Sequence, residues 1–169
     1  RLGRSPQPSA DGKTLFFSSF RLGGKGQRDI WMSTLKEDGT WSLPLNLGDS
    51  INTPFDDESP FIHPDGKTLY FSSNGHPGMG NYDLYYSTRL PDGKWSHAVN
   101  LGYPINTSGY ETSIFVSTDG TTGFYSSEMK DSKGKMDIYS FEMPPVNRPS
   151  YTSYIKGNVF DADTREPIY

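Results

Sequence analysis

The sequence has no cysteine, which excludes disulfides, thiol nucleophiles and thiolate metal sites while leaving the compartment open, because many periplasmic proteins also do without cysteine. No apolar run approaches the roughly 20 residues that cross a bilayer as a helix. The opening Arg1-Leu2-Gly3-Arg4 has none of the character of a signal peptide, so the chain reads as beginning within a longer protein. Positive charge is not concentrated: 16 basic and 20 acidic residues are spread along the chain for a net charge of −4, and no basic stripe suited to a phosphate backbone is present. Nucleic acid is therefore not an expected partner. Long amphipathic helical patterns are missing too.

What the sequence does have is rings and turns. Aliphatic and aromatic residues together make only 33% of the chain, but aromatics alone reach 14%, with 18 glycines and 13 prolines distributed throughout. Such a chain fills its core with rings and joins many short strands by tight turns, which is an all-β profile.

Its organisation is a repeat. Asp11-Gly12-Lys13-Thr14-Leu15-Phe16-Phe17-Ser18-Ser19 recurs 54 residues later as Asp65-Gly66-Lys67-Thr68-Leu69-Tyr70-Phe71-Ser72-Ser73, and after the same interval as Asp119 to Ser127. Asp29-Ile30-Trp31, Asp83-Leu84-Tyr85 and Asp137-Ile138-Tyr139 keep that spacing. So do Trp41-Ser42 with Trp95-Ser96, Asn46-Leu47-Gly48 with Asn100-Leu101-Gly102, and Ile51-Asn52-Thr53 with Ile105-Asn106-Thr107. A unit of this size buries its faces by stacking on its neighbours.

Within the second copy, Ser59 to His63 is predicted as a first strand and Pro64-Asp65-Gly66-Lys67 as a hairpin turn. Thr68–Ser73, Asp83–Thr88 and Trp95–Leu101 follow as strands two to four. Four antiparallel strands per repeat make a β-propeller blade, with strands two and three apolar on both sides because blades pack face to face. Residues 1–143 are thus expected to be three C-terminal propeller repeats, either a partial propeller that has lost blades or part of a larger one, since closure takes about four to eight blades. The third copy lacks the Trp-Ser and Asn-Leu-Gly block, so its fourth strand is expected from upstream of Arg1. Residues 144–153 read as a Pro-rich, semi-rigid linker, and 154–169 as the opening of a small β-sandwich.

The Pro-Asp-Gly-Lys-Thr-Leu-Tyr-Phe-Ser-Ser block with its following Asp-Leu-Tyr resembles the WD40-like propeller repeat of TolB-type and other bacterial envelope proteins, over residues 5 to about 141. The Trp-Ser to Ile-Asn-Thr continuation resembles the version in Bacteroidota proteins that end in an OmpA-like domain, and Gly157 to Ile168 is similar to the start of a carboxypeptidase regulatory-like sandwich, a non-catalytic module. That order resembles the peptidoglycan-anchoring component of the type IX secretion system. The resemblance implies a periplasmic location at the outer membrane, envelope or secretion-system proteins as partners, and peptidoglycan contact only through an OmpA-like domain outside this chain.

The residues themselves give no catalytic signature. No Gly-x-Ser-x-Gly elbow and no His-Glu-x-x-His occurs. Ser9-Ala10-Asp11-Gly12 departs from the sialidase Asp-box, which spaces Asp and Gly by one residue. His63, His76 and His97 fall at unrelated repeat positions, and Asp161-x-Asp163 with Glu166 lacks the glycine and oxygen count of a calcium loop. No cofactor, no metal and no enzymatic activity are expected. Asp29, Asp83 and Asp137, recurring once per copy, suit carboxylates that accept backbone bonds, and Trp41 and Trp95 suit packing over a blade edge.

Binding is expected where the copies differ, in the loops Phe20–Arg28, Asn74–Tyr82 and Glu128–Met136. Arg21, Lys25 and Arg28, with Lys130, Lys133 and Lys135, would put positive charge on one face, and Asp57 and Glu111 would place carboxylates near the starts of the inner strands. The expected function is a non-catalytic protein-interaction scaffold of the envelope. The alternative is a glycan-binding or glycan-hydrolysing propeller using Tyr82, Tyr103 and Tyr110.

Overall fold

Each Asp-Gly turn closes a hairpin. At the second, Gly66 adopts a φ of 68°, open to glycine without cost, while the Asp65 carboxylate accepts the amides of Lys67 and Thr68, both at 2.9 Å. The computed structural model describes residues 4–129 and 132–153, with Ala162, Thr164 and Glu166; the sandwich expected over 154–169 lies outside the described residues apart from those three. The hairpins build three antiparallel sheets, one per repeat. The first runs β1 (Arg4–Pro8), β2 (Thr14–Ser19), β3 (Asp29–Thr34), β4 (Leu45–Asn46). The second runs β5 (Asp57–Ile62), β6 (Thr68–Ser73), β7 (Asp83–Thr88), β8 (Val99–Asn100). The third holds β9 (Glu111–Val116), β10 (Thr122–Ser127) and β11 (Asp137–Glu142), after which the chain leaves at Met143. These are propeller blades, and strands two and three fall where the repeat placed them.

Two strands differ from expectation. The first strand of the second copy begins at Asp57, and it carries a bulge between Glu58 and Phe61. Ser59 sits there at a φ of 53°, and Ser5 and Ser113 repeat the conformation at 51° and 55°. The extra residue bends each innermost strand. The fourth strand is shorter than Trp95–Leu101: Arg89 and Trp95 form an isolated bridge, and regular pairing resumes only at Val99. Between them Ala98 turns its amide away from β7 to Ser50 of the preceding copy, at 3.1 Å.

The core lies between sheets. Phe16, Ile30 and Ile51 pack against Leu69, Phe71, Tyr85 and Trp95 of the second blade; Tyr70, Leu84, Leu101 and Ile105 pack against Ile114, Val116 and Tyr125 of the third. Polar clamps accompany these contacts. Asn52 accepts the Ile30 amide at 2.8 Å and donates to the Ile30 carbonyl at 2.9 Å. Asn106 does the same to Leu84 at 2.8 and 2.9 Å. Both asparagines are buried, so the turn entering each next blade is tied to strand three of the blade before it.

The segment after Met143 does not stand off as a spacer. A 3-10 turn, Pro145–Asn147, leads into a strap lying across the second and third blades. Tyr70 donates to the Asn147 carbonyl at 3.3 Å, the Ser150 amide donates to Asp65 at 3.1 Å, and the Thr152 amide donates to the Thr118 carbonyl at 3.2 Å.

Candidate binding loops and blade faces

The loops between strands two and three differ in sequence but are folded by one device. Asp29 accepts the amides of Lys25 at 2.5 Å and Gly26 at 3.1 Å. Asp83 accepts those of Met79 at 2.9 Å and Gly80 at 3.1 Å, and Asp137 accepts that of Lys133 at 2.6 Å. The recurring aspartates thus hold backbone. The first two loops also reach the following blade: Asp57 donates its amide to the Arg28 carbonyl at 2.7 Å, and Glu111 donates its amide to the Tyr82 carbonyl at 2.9 Å. A Cβ on Gly80 would stand 2.5 Å from the Gly109 carbonyl, whereas on Gly134 its nearest neighbour would be Asp137 at 3.9 Å. The glycine is required where a next blade presses on the loop.

The described charges do not share one environment. Asp57 and Glu111 stand at the starts of the innermost strands, as expected, but both are fully buried, a correction to their reading as candidate partner contacts. Asp57 accepts the Thr53 amide and Ser73 hydroxyl, both at 2.5 Å, and the Thr53 hydroxyl at 2.9 Å; burial pushes its carboxyl above the ordinary value, against the lowering effect of Ser73 and Thr53. Glu111 accepts the Thr107 hydroxyl at 2.6 Å and the Ser127 hydroxyl at 3.2 Å. Lys25 is paired with Asp49, and Arg28 with Glu58 while stacking over Phe20 at 4.6 Å. Arg21 lies over Phe17 at 5.1 Å, its buried Nε without a hydrogen-bond partner among the described residues. Lys133 and Lys135 are exposed; Lys130 lies outside the described residues. Of the five described cations, Lys25 and Arg28 are thus engaged in ion pairs.

Of the three tyrosines considered for glycan stacking, Tyr103 is exposed and Tyr82 is buried against Tyr110, ring centroids 4.6 Å apart. Burial, with Glu58 and Asp56 nearby, pushes the Tyr82 phenol up.

Sequence reasoning missed the exposed apolar surface. Phe20, Arg21, Leu22, Trp31, Leu43 and Pro44 line an open cavity of about 540 Å³ on the first blade. Trp41 on that side is 43% exposed, while its counterpart Trp95 is 7% exposed because it packs edge-on against Phe16 at 6.0 Å. On the opposite face of the third blade Ile138 is 77% exposed, against 0% for both Ile30 and Leu84. The 54-residue equivalence identifies both surfaces as blade-stacking faces that have no neighbouring blade among the described residues. The signal was present in the repeated Ile-Asn-Thr block, whose asparagines make the clamp.

Among the described residues no group of three or more His, Asp or Glu is placed to hold a metal, and no helix is long and apolar enough to cross a membrane. No family model and no curated relative matches the chain. Among solved structures, TolB from Acinetobacter baumannii is similar at 18% identity and a TM-score of 0.55, over 83% of this chain and 30% of its own. A puromycin hydrolase mutant aligns at 13% identity and a TM-score of 0.40, covering 95% of this chain and 32% of its own. The chain spans about a third of the length of these proteins. The TolB likeness shows the fold, a β-propeller built of four-stranded blades.

Proposed function

We propose that this chain is a non-catalytic protein-interaction scaffold of a bacterial envelope assembly. The observation that carries the reading is the division of labour within the repeat: recurring polar side chains such as Asp29, Asp83, Asn52 and Asn106 are spent on backbone, and the variable residues are left on loops anchored by the aspartates. Anchored loops of varied sequence on a repeated frame suit recognition of a partner protein. The finer reading is a periplasmic component at the outer membrane, of the Bacteroidota OmpA-family and PorE type associated with type IX secretion, with peptidoglycan attachment left to a domain outside these residues. The TolB-like fold supports the propeller scaffold, and the finer reading rests on the repeat resemblance alone.

Crosslinking and mass spectrometry in the native envelope tests this, with charge reversal at Arg21, Lys133 and Lys135 as the control. Crosslinks from the loop face to envelope or secretion proteins, weakened by the reversal, are expected. Retention on surface glycan with no protein crosslinks would overturn the proposal.

A further inference from the structure

The groove filled by the strap has a vacant counterpart one blade back. The strap lies where the Asp65 turn of the second blade meets the Gly120 turn of the third. Asp65 takes the Ser150 amide, Thr118 takes that of Thr152, and Pro149 lies so close that a Cβ on Gly120 would stand 2.8 Å from its ring. Tyr70 forms the floor beneath Asn147. Moving each of these back by one repeat gives Asp11, Pro64, Gly66 and Phe16. These four residues line a cleft of about 210 Å³ between the first and second blades. At Gly66 an added Cβ would meet nothing within 4 Å among the described residues, so the space that Pro149 fills in one groove is left open by them in the other.

We propose that this cleft binds an extended, proline-containing segment of a partner protein, in the pose that residues 147–152 adopt in the neighbouring groove. The chain is its own template for the complex. A proline ring needs the flat, Cβ-free surface that a turn glycine offers, and Gly66 has the same left-handed backbone as Gly120, φ 68° and 72°. A main-chain amide needs a fixed acceptor, and the Asp11 carboxylate is oriented by the Ser9 hydroxyl at 2.5 Å and the Lys13 amide at 3.0 Å, both on Oδ1. Its Oδ2 corresponds to the oxygen that takes Ser150 in Asp65. An extended proline segment is also pre-ordered, so it loses little entropy on docking. Phe16 lacks the Tyr70 hydroxyl, and Arg89 stands where Met143 begins the strap. The foreign segment therefore gives up one hydrogen bond and meets a cation at one end.

The probe is a synthetic peptide of residues 144–152, titrated into the isotopically labelled 169-residue chain and followed by NMR. Saturable shifts at Ser9, Asp11, Gly66 and Arg89 are expected, with affinity at least tenfold weaker in Asp11→Ala and unchanged in Asp119→Ala, which removes the same turn carboxylate from the third blade. Absence of saturable shifts would overturn the proposal. So would shifts confined to Asp65 and Gly120, which would mean the peptide only exchanges with the strap. Shifts at Asp11 and Gly66 that grow with the chain's own concentration in the absence of peptide would assign the groove to a second copy and equally overturn it.

Discussion

At the scale of single residues, the three serines in the innermost strands show how a repeat tolerates local cost. A non-glycine residue at positive φ costs on the order of 1 kcal/mol, yet Ser5, Ser59 and Ser113 share that conformation, so the bulge is part of the unit. Serine suits the position because its small side chain limits the clash that a β-branched residue would suffer there. Ser59→Gly is expected to leave stability within about 0.5 kcal/mol, since relief of strain offsets the added chain entropy. Ser59→Val is expected to cost about 1–2 kcal/mol, read from the urea midpoint at constant slope. Nothing in the sequence pointed to this conformation, because Ser-Pro in an apolar run reads as ordinary extended backbone.

At the scale of the element, one side chain is the polar clamp of the joint between the second and third blades. Asn106 serves the amide and carbonyl of Leu84 and also donates to Asn100 at 2.7 Å. Asn106→Ala leaves those buried backbone groups unpaired, and a loss of about 2–3 kcal/mol is expected in chemical denaturation. Much of this element structure was legible: constant spacing fixed strands two and three, and Asp-Gly fixed the hairpins, because both depend on local backbone chemistry. The short fourth strand was not, since the diversion at Ala98 depends on a carbonyl of the preceding copy, Ser50. The candidate site was legible only in part. Loop positions followed from the repeat, but local sequence does not reveal that Asp57 and Glu111 turn inward to Thr53 and Thr107, nor that Arg28 meets Glu58 across a blade junction.

At the scale of the whole molecule, stability is a sum over blades and joints, and the joints are unequal. The second blade is covered on both faces, while the third offers Ile138 to solvent. Hydrogen exchange is therefore expected to be graded, with the Leu84 amide at least about tenfold slower than that of Ile138. Asn106→Ala should narrow that difference; an unchanged ratio would remove the clamp from the account of coupling between blades.

The strap across the second and third blades also has a mechanical consequence. A pull applied beyond Ser153 does not first peel β11 from β10. It loads the bonds of Thr152 to Thr118, Ser150 to Asp65 and Asn147 to Tyr70 in turn, two of which end on the fully covered middle blade. The strap thereby acts as strain relief, shielding the least protected strand from tension and passing the load to the best-supported sheet.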